Sequence, residues 1–289
     1  MGIDTHALHL LRWASSKANG LGATATIGRQ AMYVPPAELA RQVSLPAGYA
    51  YPQYCEDLLI GAFGATRVDS FDNSGYEGCT HVADFSQPIV PPAQYDTVLD
   101  IGCLEHIFNI PQALRNVSLL CTPGGQILHC LPTNGFCGHG FWQISPELFF
   151  SLYSTENGYA QTEVFIADVR DETSWYQVPP PSEGHRVTLR SPADHPLYVI
   201  CRTVKLGDFS HDNVQQSDYA FTWKQGAAAP IPEYVEPWHG KLRTRLKSTN
   251  LFAPLQWVRS RIAVVLGLRQ GDFAESNPAL TRRNPSQLN

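Results

Sequence analysis

Apolar residues recur along this chain with two different spacings, and the alternation between them lays out the elements. Leu8, Leu10, Leu11 and Trp13 fit a helix over 4–19 that Asn19-Gly20 stops. The short apolar run 23–27 reads as a first buried strand ending at Gly28. Pro35-Pro36 open a helix to Val43, and Glu56–Phe63 predicts another, closed by Gly64. Residues 67–71 form a short strand that ends in turn chemistry at Asp72-Asn73-Ser74-Gly75, and 81–83 a shorter one ending at Asp84. Tyr95–Ile101 is the strongest strand, Ile110–Leu120 an amphipathic helix, Pro123-Gly124-Gly125 a turn and 126–131 a strand. This strand–helix alternation over 22–131 predicts an α/β fold: a twisted, mostly parallel sheet with helices on both faces. Ligands are then expected beyond the C-terminal ends of the strands.

Further on, Ser145-Pro146-Glu147 starts a helix, with serine as cap and proline in the first turn. Two more strands are expected at 162–168 and 197–204. Beyond residue 206 the chain turns polar and proline-rich. Over 251–268, Leu251, Phe252, Leu255, Val258, Ile262, Val265 and Leu266 can line one side of an amphipathic helix, and the last fifteen or so residues read as disordered. The division is therefore an α/β domain over 1–205 and a C-terminal extension over 206–289.

Composition narrows this picture. The 289 residues are 43% apolar, enough for one sizeable domain, and no run of about 18 apolar residues marks a membrane span. The opening residues show no secretory signal, and they resemble a myristoylation signal except for His6. The seven cysteines lack any CxxC pair, so reduced thiols and a cytoplasmic protein are expected. Cys130 and Cys137 bracket a loop with His129 and His139 just outside them; bystander thiols are the weightier reading there, and no metal is expected. Charge is uneven. Nine Lys or Arg face only Asp272 and Glu275 between 241 and 283, so this stretch is strongly basic although the chain as a whole is −5. A basic amphipathic helix there suits peripheral contact with an anionic membrane, and packing on the protein's own body equally well. The acidic body and the lack of any nucleic-acid module argue against nucleic acid as a partner.

The segment from Tyr95 to Pro132 carries the most specific pattern. Tyr95-Asp96, Leu104-Glu105-His106, Ala113-Leu114-Arg115-Asn116 and Pro123-Gly124-Gly125 stand in the order and spacing of the fourth strand, following helix and fifth strand of class I S-adenosylmethionine-dependent methyltransferases. The chain resembles that superfamily over about 22–135. The resemblance implies a Rossmann-like methyltransferase fold, S-adenosyl-L-methionine as cofactor, and methyl transfer to an acceptor.

It also implies site residues. Asp72, at the end of the second strand, would accept hydrogen bonds from the ribose hydroxyls, since two carboxylate oxygens can take both protons. Asn73 follows it in the same turn. Asp84 falls where the family places an acidic residue near the adenine amino group, and Phe85 could cover the adenine face. Gly28, Arg29 and Gln30 form the first-strand loop, and Gly102 and Glu105 follow the fourth strand. The first loop departs from the family pattern, with Gly28 alone where two or three glycines are usual. The loop Pro132–Gln143 leaves the fifth strand on the ligand side with three glycines, two large aromatics and His139, so it reads as part of an acceptor site. His139 and His106 are the candidate bases for a hydroxyl acceptor.

The expected activity is thus methylation, at oxygen, of a small-molecule or glycan acceptor. The sparse Gly28 loop keeps open a non-catalytic binding or scaffold protein on the same fold. A nicotinamide-dependent oxidoreductase is disfavoured because no GxGxxG follows a strand.

Overall fold

The computed structural model describes residues 2–182, 189, 195–212, 214–224, 277 and 279–288. Helix α1 (Thr5–Ala18) begins where Asp4 caps it, its Oδ1 accepting the Ala7 amide at 2.9 Å. It ends at Asn19, which sits in the left-handed region at φ 55°. Asparagine tolerates that conformation, which is why the Asn-Gly pair stops the helix.

The main sheet is built from β2 (Gly22–Ile27), β4 (Ala65–Asp72), β5 (His81–Val82), β6 (Tyr95–Ile101), β7 (Cys121–Asn134), β8 (Tyr159–Asp168), β9 (Trp175–Val178), β10 (Leu197–Lys205) and β11 (Thr281–Arg283). Their order is β11-β9-β8-β10-β7-β6-β2-β4-β5. The five strands from β5 to β7 run parallel. Strand β10 is inserted antiparallel between β7 and β8, and β9 and β11 extend that edge antiparallel. A separate two-stranded ladder pairs β1 (Gly2–Ile3) with β3 (Ala31–Met32). The chain builds outward from β2 through β4 and β5, then returns to place β6 on the other side of β2. The order therefore switches direction between β2 and β6, and a crevice at their C-terminal ends follows from that reversal.

Period-two alternation sends side chains to two core layers. Val98, Ile127, Leu131, Val164 and Ile166 face α4 (Ile110–Leu120) and α5 (Pro146–Leu152). Leu99, Ile101, Leu128, Cys130, Phe165 and Ala167 face α1 and α3 (Glu56–Phe63). Helix α2 (Pro36–Gln42) contributes Leu39 to the second layer. The expected Rossmann-like α/β class is the one observed. Among the described residues no helix is long and apolar enough to cross a membrane, and all seven cysteines are free.

Three expectations are corrected. Strand β7 starts at Cys121 rather than at 126, because the Pro-Gly-Gly stretch is taken up as an irregularity inside the strand. The register runs from Tyr95↔Cys121 to Thr97↔Gln126, with Gly124 at φ 82°. Residues 281–283 are not disordered: they pair with the unforeseen β9, where Arg282 donates to Ser174 Oγ and Arg283 to Gln177 Oε1. Part of the 206–289 extension therefore completes the sheet of the first domain. The expected helix at 251–268 lies outside the described residues.

Two histidines outside the candidate site tie stability to pH. Burial, then the charge of Arg12, pushes His9 down to about 4. Burial, then Arg115, does the same to His211, whose Nε2 lies 3.0 Å from the Tyr159 hydroxyl. In the unfolded chain each takes a proton near pH 6.5, which the fold refuses until about 4. Stability from these groups is therefore complete above about pH 6.5 and is lost as pH falls towards 4. The melting midpoint of the protein, relative to that of a His211→Gln variant, is expected to fall as pH goes from 7 to 5. A pH-independent difference would contradict the assignment.

Candidate functional site

Both glycine turns expected at the ligand edge are formed. Gly28 (φ 74°) donates its amide to Phe71 O at 2.7 Å, which sets the β2 turn beside Asp72. Gly102 (φ 66°) donates to Cys130 O at 3.0 Å. Asp72 is half-buried. One of its oxygens accepts the Ser74 amide at 3.3 Å, and the other has no partner among the described residues. Its carbonyl accepts the Ala83 amide at 2.7 Å, which brings the β5 end alongside. Asn73 is exposed in this turn. Asp84 is exposed too, and hydrogen bonds from Ser86 hold its carboxyl below the usual range.

Other members of the expected set have structural duties. Phe85 is buried in the core, edge-on to Phe71 at 6.1 Å, and does not lie open as a platform for adenine. Gln30 is fully buried, its Nε2 donating to Ile27 O at 2.7 Å, while its Oε1 has no partner. Arg29 is a tie: its guanidinium pairs with Glu56 at 2.7 Å, donates to Glu77 O at 2.6 Å and lies 4.0 Å over the Tyr54 ring. The stretch between Gly28 and α3 is thereby fastened to the loop after β4.

The third group lies just past β6. Asp100 Oδ1 accepts the Cys103 and Leu104 amides at 3.2 and 3.3 Å, which winds Leu104–His106 into a single 3-10 turn. Leu104 anchors this turn in the core, Glu105 is buried, and His106 points outward. The loop after β7 folds back on the turn: Phe141 and Trp142 both donate their amides to Glu105 O, at 2.7 and 3.2 Å. Gly140 makes this approach possible, for a Cβ there would sit 2.8 Å from that oxygen. His139 is thus carried to the turn, its Nε2 3.5 Å from Glu105 Oε1, and His106 Nε2 lies 3.7 Å from the same oxygen. The two imidazole centroids are 4.9 Å apart. The two candidate bases, 33 positions apart in sequence, are neighbours around one carboxyl group. Burial, then the charge of Asp100, raises Glu105 to about 8. Burial, then His139, lowers His106.

A 190 Å³ cavity opens beside this cluster, lined by Glu105, His139, Gly102, Phe136, Tyr33 and Tyr198 among others. Tyr33 and Tyr198 carried no sequence signal, since each stands alone between unremarkable neighbours. An 870 Å³ cavity lies where β8 begins, at the opposite edge of the sheet, and holds none of the expected site residues. The suspected Cys130–Cys137–His129–His139 group is not assembled: Cys130 is buried, Cys137 exposed, and His129 is bonded to Asp100 and Tyr153.

The parallel strands, the reversal between β2 and β6 and the inserted antiparallel β10 complete the pattern implied by the sequence resemblance. The fold is a Rossmann-like α/β fold. No protein-family model matches this sequence, and no curated protein does. Among solved structures, it is similar to the N-methyltransferase NodS from Bradyrhizobium japonicum WM9, with 15% identity, 70% of this chain and 94% of that chain covered, and a TM-score of 0.39. The same NodS in complex with S-adenosyl-L-homocysteine gives 13% identity, 69% and 85% coverage and a TM-score of 0.35. The YcgJ protein from Bacillus subtilis gives 11% identity, 70% and 99% coverage and a TM-score of 0.38.

The residues at the crevice can be tested against the cofactor that this fold implies. The Asp72 oxygen that has no partner among the described residues suits a ribose hydroxyl. At Gly28 a side chain would be in ordinary contact with Cys103 Sγ and Gln30 Nε2, each 3.5 Å from its Cβ, so the glycine is required there by its φ of 74° and not by lack of space.

Proposed function

We propose that the protein is an S-adenosylmethionine-dependent methyltransferase that methylates an oxygen of a small-molecule or glycan acceptor. The observation that carries this reading is the meeting, at one sheet edge, of a ribose-type carboxylate and an acceptor-activating cluster: Asp72 at the end of β4, and Glu105, His106 and His139 past the end of β6. Methyl transfer needs little more. The sulfonium is already activated, and the protein has to hold the acceptor atom, methyl carbon and sulfur in line. A hydroxyl acceptor must also shed a proton, which is the reason for titratable groups beside the cavity. Exposed Phe108 and Phe141, 5.8 Å apart, add an aromatic surface next to Trp142 that suits a sugar or ring. Contact with an anionic membrane through 251–268 rests on the sequence alone.

The first-strand loop, with Gly28 alone where the family pattern has two or three glycines, favours a second reading, a non-catalytic binding protein on the same fold. Calorimetry separates the two. The protein is expected to bind S-adenosylmethionine or its demethylated product, and Asp72→Ala to weaken binding at least tenfold, about 1.4 kcal/mol. Absence of binding by the folded protein would favour the second reading, and unchanged affinity in the variant would remove Asp72 from the site.

A further inference from the structure

We propose that Glu105, His106 and His139 bind a divalent first-row transition-metal ion, on which an oxygen of the acceptor is then held. What the ion does for the acceptor rests on the methyltransferase reading; the binding of the ion does not.

The first argument is geometric. One carboxylate oxygen and two imidazole nitrogens all lie within 4.8 Å of one another. Glu105 Oε1 lies 3.7 and 3.5 Å from the two nitrogens, long for hydrogen bonds. They are close to the edge of a coordination tetrahedron, which is about 3.3 Å when the ion–ligand bonds are about 2.0–2.1 Å. The second argument is an unmet need. The Glu105 side chain is 1% exposed, and its Oε2 has no hydrogen-bond partner among the described residues. A buried carboxylate with one oxygen unpartnered is costly, and a cation held by the group offsets that cost.

The third argument is rigidity and access. The ligands are held by backbone: Glu105 by the 3-10 turn capped from Asp100, and His139 by its own amide bond to Phe136 O at 2.9 Å and by the Gly140 approach. The cavity lies against the Glu105 and His139 side of the cluster, which leaves room for water or substrate as further ligands. Three protein ligands and an open position are the arrangement of a reactive metal site and not of a closed structural one. Two imidazoles and a carboxylate favour zinc, cobalt or manganese over magnesium or calcium, which prefer all-oxygen sets.

This refines the role of the two imidazoles. They hold an ion that lowers the pKa of a bound acceptor hydroxyl, and the hydroxyl proton passes to solvent. The methyl group then moves from the sulfonium to that oxygen, and the electron pair of the broken carbon–sulfur bond returns to sulfur, leaving the thioether product.

The test uses the untagged full-length protein, titrated with Zn²⁺ by calorimetry and with Co²⁺ by visible absorption. One ion per chain is expected, with tetrahedral or five-coordinate Co²⁺ bands. His106→Ala and His139→Ala remove half-exposed side chains, so the fold should hold; each is expected to weaken binding about a hundredfold, at least as much as loss of a supporting residue does elsewhere. Cys137→Ala, in the same loop but outside the ligand set, should change nothing. Glu105→Gln, monitored with its melting midpoint, should abolish the bands. No stoichiometric binding, or binding that survives both histidine changes, would overturn the site. Titration of the same samples with S-adenosylmethionine keeps the two readings apart. Metal binding without cofactor binding would sink the methyltransferase reading alone, and cofactor binding without metal binding would sink this proposal alone.

Discussion

Asp100→Ala is expected to destabilise the protein by about 3–5 kcal/mol, because three N–H groups lose their acceptor inside the protein at about 1–3 kcal/mol each. Asp100 is fully buried in β6, and its two oxygens serve two neighbouring groups, the turn that follows β6 and the adjacent strand β7. Oδ1 accepts the Cys103 and Leu104 amides, and Oδ2 is 2.7 Å from His129 Nδ1 in β7. His129 Nε2 is in turn 2.7 Å from the Tyr153 hydroxyl, and the ring stacks on Phe149 with centroids 5.1 Å apart. A neutral imidazole satisfies this whole chain: Nδ1–H donates to Asp100, and Nε2 accepts from the tyrosine. Alanine leaves one ring N–H and two amides buried without acceptors. Asp100→Asn keeps an oxygen for the amides but turns an NH₂ towards Nδ1, so the ring must change tautomer and compete with Tyr153 for a proton. Urea denaturation should rank the variants Ala below Asn below the parent. An alanine variant within about 0.5 kcal/mol of the parent, the range of ordinary surface changes, would show that the Asp100–His129 pair is not formed.

Much of this fold could be read from the chain because strand and helix periods alternate cleanly there. The strands at 23–27, 81–83 and 95–101 and the helices at 56–63 and 110–120 fall where apolar spacing put them, within a residue or so. What escaped depends on partners distant in sequence. Strand β9 is four residues long and finds β8 on one side and β11, more than a hundred residues later, on the other. No local pattern announces such a strand, because most of what stabilises it is pairing. Residues 281–283 looked disordered because they are polar and near the end; their ordering comes from Ser174 and Gln177. The irregularity in β7 was hidden because Pro-Gly-Gly reads as a turn whether or not a ladder resumes beyond it.

The site was partly legible for the same reason. Asp72 and Gly102 follow strands, and residues that end parallel strands gather at one edge by topology alone. His106 and His139 were named separately, as competitors for one role. That they share a carboxyl group depends on the loop after β7 folding back, which no spacing reveals. Glu105 was expected near the cofactor, and the structure gives it the centre of the histidine cluster. Phe85 shows the reverse failure, since an aromatic after a strand suits a ligand platform and a core position equally, and the Phe71 contact decides for the core.

Gly140→Ala should then cost about a hundredfold in methyl-transfer turnover while leaving stability nearly intact, as displacements of about 1 Å at a reacting centre do. The residue stands at φ 69°, where a side chain is already strained, and its Cβ would meet Glu105 O at 2.8 Å and Glu105 Cγ at 3.0 Å. A backbone oxygen pinned by the 3-10 turn cannot give way, so the loop must. Retreat of the loop stretches the Phe141 and Trp142 amide bonds and draws His139 away from Glu105 and His106. Little apolar surface is lost, because His139, Gly140 and Phe141 are exposed. Gly138→Ala makes the control: its φ of 88° is strained alike, but nothing lies within 4 Å of the added carbon. The two variants should therefore share the backbone penalty and differ in turnover. Zn²⁺ affinity should fall with turnover in Gly140→Ala and change less in Gly138→Ala, whereas affinity for S-adenosylmethionine, set at Asp72, should stay the same in both. Equal turnover in the two variants would mean that strain in the loop, and not the close approach at Glu105, limits the reaction.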